Sequence, residues 1–245
     1  MKNGFFTRWE RLWAENKIHS SHDVYPELNK NKLSGNYFID EIVFNTEEVV
    51  CVDVGAAQGY FILQNHEKFD RIYAFEPCYP NYVKLAQNLN ALYMNEKKNV
   101  AFFNVACSGN EDIKIENFSF YNHGSPYGSS LIDKAAIKKS NSQHSVISLS
   151  LDNLFTLIGE DRINFLKCDI EGSEFDFLCG KDISRIDVVS MELHRGTLGN
   201  KRAKNLIDYF KKNKFKPHYV SRKFDVNGEC LFINKEALAE KRVVL

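Results

Sequence analysis

The stretch VVCVDVGAAQGYF, residues 49–61, decides how this chain reads. Its first half is a near-continuous apolar run that stops at Gly55, the pattern of a parallel strand covered on both faces. Asp53 ends the run, and Gly55 and Gly59 punctuate the turn before a helical stretch from about Tyr60 to Lys68. Glycine lacks a Cβ, so a ligand can approach such a turn closely.

Working outward, apolar runs and helical patterns alternate. RIYAFEP (71–77) reads as a strand, and the following helix carries Tyr82, Leu85, Leu89 and Leu92 at helical spacing. VAFFNVA (100–106) is the next strand. Residues 109–145 break the rhythm with polar, Gly- and Ser-bearing sequence, including HGSPYGSS (123–130), which reads as an insertion suited to substrate specificity. The rhythm resumes with VISLSLDNLFTLI, the strand INFLKCDI (163–170), a short helix GSEFDFLCG and the strand DVVSMELH (187–194). A surface helix buries Leu206, Ile207, Tyr209 and Phe210, and the strands HYVSR and CLFINK are expected to close as a hairpin around Asn227 and Gly228. This order predicts an α/β domain built on a mostly parallel sheet.

The 245 residues carry 32 Lys plus Arg against 32 Asp plus Glu, so no net field draws in nucleic acid or anionic lipid. With 44% hydrophobic and 26% charged residues, intrinsic disorder is excluded. No run approaches the roughly 20 apolar residues of a membrane span. The start, MKNGFFTRWERLW, mixes aromatics with charges and lacks a signal-peptide core. Six cysteines without a CxxC pair read as buried thiols of a reducing compartment, so the expected location is cytoplasmic. Residues 1–48 stand apart as an N-terminal helical extension, with the domain proper at 49–245. Phe5, Phe6, Trp9, Leu12 and Trp13 share one helix face, which reads first as packing on the domain; a lid or a homodimer contact are the other readings.

The Gly-x-x-x-Gly turn lacks the middle glycine of the dinucleotide fingerprint Gly-x-Gly-x-x-Gly, which is tuned to a pyrophosphate. Seventeen residues after Gly59, Glu76 stands at the tip of the second strand, where a carboxylate accepts hydrogen bonds from both hydroxyls of a ribose. A nucleoside without phosphates fits that pair, and S-adenosylmethionine is one. The plainer alternatives are Asp53 as a turn cap and Glu76 as an exposed strand-end acid.

The chain resembles the FkbM family of class I S-adenosylmethionine-dependent methyltransferases through DVGAAQGYF, AFEP, LDNL (151–154) and FLKCDIEGSEFDFLCG (165–180). Ala57 stands where the family usually has asparagine, and Cys168 where it has an aliphatic residue. The resemblance implies a Rossmann-like, doubly wound, mostly parallel seven-stranded sheet with an antiparallel C-terminal hairpin. It further implies that Asp53, Gly55, Ala56, Gly59, Tyr60 and Phe61 surround the methionine moiety, that Glu76 and Pro77 lie at the ribose, and that Asn104 and Val105 lie near the adenine. Asp169 belongs to the same cofactor set.

Ligands of open α/β sheets bind beyond the carboxyl ends of the strands. Asp169 and Glu171 end one strand, and Glu192 and His194 the next, so strand alternation groups each pair on one side. Transfer to an alcohol calls for a positioned base. His194 is the candidate, oriented by Glu192 or Glu171. The structural alternatives make Asp169 a helix cap and Glu174 a partner of a helix dipole. A divalent metal on Asp169, Glu171, Glu192 and His194 is a further reading, not favoured from ligand identity alone. His19, His22, His66, His123, His144 and His218 lack metal-like spacing, and the lysines from Lys201 to Lys216 read as a solvated helix face. The expectation is therefore an O-methyltransferase acting on a sugar, glycan precursor or secondary-metabolite precursor, with no nucleic acid partner. N- or phosphate-type methylation, an NAD(P)-dependent oxidoreductase and a non-catalytic binding domain are the alternatives.

Overall fold

The computed structural model describes residues 37–96, 99–120, 142–220 and 228–245. The expected helix around Phe5 to Trp13 and the stretch 123–130 lie outside these residues. The elements, in chain order, are β1 (Val43–Phe44), β2 (Val50–Val54), α1 (Tyr60–Asn65), β3 (Arg71–Phe75), α2 (Tyr79–Glu96), β4 (Asn99–Phe103), β5 (Val105–Cys107), β6 (Lys114–Phe120) and β7 (Ser142–Leu149). They continue with α3 (Leu151–Ile158), β8 (Ile163–Cys168), α4 (Glu174–Leu178), β9 (Ile186–Leu193), α5 (Arg195–Leu198), α6 (Asn200–Lys212), β10 (Phe215–Val220), β11 (Gly228–Asn234), α7 (Lys235–Ala239) and β12 (Val243–Val244).

The main sheet has seven strands in the order β10-β11-β9-β8-β2-β3-β4. Five of them, β4 through β9 in space, run parallel, β11 is antiparallel to β9, and β10 is antiparallel to β11. Only β11 therefore opposes the rest. The C-terminal pair forms as expected, although Gly228 lies inside β11 and not in the turn. The central strands β2 and β8 are buried throughout, which explains their unbroken apolar runs. Their side chains alternate between two cores. Val52, Val54, Leu166 and Cys168 face Leu154, Phe177, Leu206 and Phe210. Cys51 and Phe165 face Phe61, Ile62, Leu85 and Leu89.

Local signals mark the helix ends. Ser150 Oγ accepts from Asn153 N at 3.2 Å to start α3, and Gly159, at φ +70°, ends it. In α6, Ala203, Leu206 and Phe210 make the buried stripe, with Ile207 and Tyr209 partly buried beside it. Residues 37–48, grouped by sequence with the extension, pack in the same unit as the sheet: Tyr37, Ile39 and Ile42 are buried in its core, and β1 pairs with β12.

Two expectations need correction. VAFFNVA is not one strand. It breaks at Asn104, and β5 leaves the main sheet to pair in parallel with β7, which β6 flanks antiparallel in a separate three-stranded sheet. The excursion thus contributes ordered strands at both of its ends. Strand β8 stops at Cys168, so alternation does not govern Asp169 and Glu171; Glu171 has φ +52° and turns the chain. Among the described residues, no helix is long and apolar enough to cross a membrane, and the six cysteines form no disulfide.

Candidate active site

Chain order reverses between β2 and β8, since β3 and β4 lie to one side and β8 and β9 to the other. A crevice opens at such a switch point, beyond the strands' carboxyl ends. The two strands come together there so tightly that a Cβ on Gly55 would stand 1.7 Å from the Asp169 carbonyl oxygen. Gly55 and Ala56 both donate their amides to the Phe75 carbonyl, at 2.9 and 3.0 Å, and Gly59 N closes the turn on Ala56 O at 2.8 Å. Gly55, Ala57 and Gly59 all have positive φ, of 79°, 49° and 84°. Tyr60 and Phe61 open α1 directly behind.

Glu76 lies between this turn and the next. Its Oε2 accepts from Ala57 N and its Oε1 from Cys78 N, both at 2.8 Å. Burial pushes its carboxyl up to about 7 against the opposing effect of those two amides. The Asn104 amide donates to the carbonyls of Glu76 and Pro77, at 2.8 and 3.0 Å, so the residue at the β4–β5 break fixes the loop that presents Glu76. Val105, half-buried in β5, follows it.

Register explains a pair that sequence reading missed. Asp53 is aligned with Lys167 across β2 and β8. The Lys167 ammonium donates to Asp53 Oδ1 at 2.8 Å and to Gly55 O at 2.9 Å. Burial works against its charge, but Asp53 and Asp169 outweigh that and hold its pKa above the ordinary value. Asp53 Oδ2 is buried without a hydrogen bond. Tyr37 stands over this pair with its ring centroid 4.9 Å from Lys167 Nζ, and its hydroxyl donates to Asp169 Oδ2 at 2.8 Å. A lysine inside the apolar run INFLKCDI was a signal for the first of these residues; Tyr37 carried none.

The acidic ends do converge, around His194. Its Nε2 lies 3.2 Å from Glu171 Oε2, 3.6 Å from Asp169 Oδ1 and 3.9 Å from Glu192 Oε1. Its orienting partner, however, is neither Glu171 nor Glu192: Nδ1 meets Glu174 Oε1 at 2.7 Å. Glu174 is fully buried and also accepts from Gly172 N and Ile170 N, at 3.1 and 3.3 Å. Asp169 makes no helix-capping bond; the amides before α4 go to Glu174 instead. Burial disfavours the charged imidazole, yet the Glu174 hydrogen bond and the charges of Glu174, Glu171 and Asp169 push it up to about 10. The expectation of an imidazole titrating near neutral pH is therefore not met. Burial and the neighbouring acids raise Glu171 to about 7 and also raise Glu192 and Glu229.

A family model described as the methyltransferase FkbM domain matches residues 53–217. Among solved structures, the chain is similar to the FkbM methyltransferase of Methylobacillus flagellatus KT, at 16% identity and a TM-score of 0.50, covering 86% of this chain and 51% of that one. It thus spans about half the length of that relative. It is also similar to an rRNA methylase from Streptococcus thermophilus, at 9% identity and a TM-score of 0.47, covering 81% of this chain and 92% of the other. No curated protein matches. The matched segment runs from Asp53 into β10, takes in every site residue above except Tyr37 and Glu229, and covers well over half of the 245 residues; the chain belongs to the FkbM methyltransferase family.

Proposed function

We propose that the protein transfers a methyl group from S-adenosylmethionine to a hydroxyl of a sugar, a glycan precursor or a secondary-metabolite precursor. The observation that carries this reading is Glu76, a buried carboxylate with each oxygen fixed by one backbone amide beside a turn that admits no side chain at Gly55. A carboxylate oxygen keeps acceptor capacity after one such bond, which suits the paired hydroxyls of a ribose. The residues also fit the other end of the cofactor: the orphaned Asp53 Oδ2 offers an acceptor to an ammonium group. When bound, S-adenosylmethionine supplies a methyl group on positively charged sulfur, open to in-line attack.

The chain's own residues divide the remaining work. Gly55, Ala56 and Gly59 bring bare backbone to the methionine end, with Tyr60 and Phe61 behind them, and Lys167 holds Asp53 in place. Asn104 positions the Glu76–Pro77 loop, and Val105 lies on the adenine side. Asp169, Glu171, Glu192 and His194 face the acceptor and align its hydroxyl, and Glu192 takes its proton.

Calorimetric titration tests the cofactor assignment. S-adenosylmethionine should bind the wild type, and Glu76→Ala should weaken it at least tenfold with the unfolding midpoint preserved. A ribose donates to the ionised carboxylate, so affinity should fall as Glu76 takes up a proton. With a pKa of about 7, lowering the pH from 7.5 to 6 cuts the ionised fraction by roughly eightfold. Glu76→Gln should lose that part of the slope. Equal affinity in the alanine variant, an unchanged slope in the glutamine variant, or binding of NADH in place of S-adenosylmethionine would remove the assignment.

A further inference from the structure

We propose that Asp169, Glu171 and His194 form a binding site for one divalent transition-metal ion, with Mn2+ as the matching probe, on the acceptor side of the crevice. Each residue presents one ligand atom, and the three atoms lie within 4.8 Å of one another. Two of the spacings are those of ligands that share an ion. His194 Nε2 stands 3.2 Å from Glu171 Oε2 and 3.6 Å from Asp169 Oδ1. Ligands about 2.1 Å from a common ion lie roughly 3.0 Å apart at octahedral corners and roughly 3.4 Å apart at tetrahedral ones. The two spacings from His194 already lie near these values, and rotation of the Asp169 and Glu171 carboxylates, whose ligand atoms lie within 4.8 Å of each other, closes the set around one ion.

Independent observations point to a cation. Asp169 Oδ1 is buried, has no hydrogen bond, and faces His194 Nε2. A buried acceptor without a donor marks a missing partner. A proton on Nε2 reaches Glu171 at 3.2 Å but leaves Asp169 and Glu192, at 3.6 and 3.9 Å, beyond a good hydrogen bond. A metal ion between the groups serves Asp169, Glu171 and His194 together. His194 is only 3% exposed, and Glu174 fixes its Nδ1, which aims Nε2 at the carboxylates, where a metal ion would take the place of the Nε2 proton. Tyr37 donates to the far oxygen of Asp169. A metal-ligating imidazole backed by a carboxylate, and a ligating carboxylate itself hydrogen-bonded, are the usual supports of a metal centre. The local charge agrees: Asp169, Glu171, Glu192 and the cross-strand Glu229 gather here, while the nearby Lys167 is committed to Asp53 and Gly55.

One imidazole with two carboxylates favours Mn2+, Fe2+ or Zn2+ over ions that prefer oxygen alone. The proposal rests on the reading of this end as the acceptor side. An acceptor hydroxyl on the ion's open face is acidified. Its O–H bond breaks, the proton goes to Glu192, its oxygen bonds the methyl carbon, and the carbon–sulfur bond breaks to leave a neutral thioether.

The test is calorimetry and manganese electron paramagnetic resonance on the whole chain after chelator treatment. One Mn2+ per chain is expected. His194→Ala should weaken it about a hundredfold, and Tyr37→Phe, which keeps the ring packing, about tenfold. Glu76→Ala should leave Mn2+ binding unchanged while losing S-adenosylmethionine. The proposal is overturned if neither Mn2+ nor Zn2+ binds, if His194→Ala binds Mn2+ as well as the wild type, or if a primary-amine acceptor occupies the cluster and excludes the ion. Mn2+ binding without S-adenosylmethionine binding would sink the proposed function and leave the metal site standing; the reverse result would sink the metal site alone.

Discussion

Gly55→Ala should abolish cofactor binding and destabilise the domain. The new methyl group would meet two backbone atoms of Asp169, the oxygen at 1.7 Å and the carbonyl carbon at 2.8 Å, and neither can swing away as a side chain can. The φ of +79° adds a left-handed penalty of about 1 to 2 kcal/mol for any residue with a Cβ. Relief requires β2 and β8 to separate, which strains the bond from Asp169 N to Val54 O at 2.9 Å and moves the turn away from Glu76. Overpacking of this kind costs about 1 to 3 kcal/mol more. We expect S-adenosylmethionine affinity to fall more than a hundredfold and the denaturation midpoint to drop clearly. Gly159→Ala is the control: its φ is +70°, but nothing stands within 4 Å of the added carbon. It should lose stability by about 1 kcal/mol and keep full cofactor affinity. Near-normal binding by Gly55→Ala would mean that the turn is not the cofactor cradle.

The second large effect is expected at Lys167. Removing one partner of a buried ion pair leaves the other charge uncompensated, at a cost of about 3 to 5 kcal/mol. Asp53 is fully buried, and Lys167→Met would take away the ammonium at 2.8 Å. Burial already raises the Asp53 carboxyl, and without Lys167 it rises further. The sign follows from that shift: the deficit is largest at neutral pH and shrinks as the pH falls and the buried acid takes up a proton. Urea denaturation across that range should show it. The double variant Asp53→Asn with Lys167→Met should recover part of the loss, and the cycle isolates the pair. An unchanged midpoint in Lys167→Met would show that the pair contributes nothing to stability.

The sequence made the sheet legible because its central strands are buried on both faces and so appear as unbroken apolar runs, VVCVDV and INFLKC. The break at Asn104 was not legible. Both halves of VAFFNVA are apolar, and departure into a second sheet depends on pairing with β7, some forty residues away. In the site, the glycine turn and Glu76 could be read because their spacing is local. The Asp53–Lys167 pair could not, since it follows from register between strands more than a hundred residues apart. The partner of His194 was misassigned for a similar reason. Strand alternation ends at Cys168, and the positive φ of Glu171 and Gly172 then turns the chain and brings Glu174 under the imidazole. Tyr37 precedes the repeating pattern and is placed only by tertiary contacts with Phe61, Lys167 and Asp169.

The most direct measurement is a crystal structure of the protein soaked with S-adenosylhomocysteine. The account predicts the ribose hydroxyls on Glu76, the amino acid end against the Gly55 turn with its ammonium at Asp53, and the sulfur facing Asp169, Glu171 and His194. Density for the compound elsewhere, or an empty crevice at saturating concentration, would contradict it.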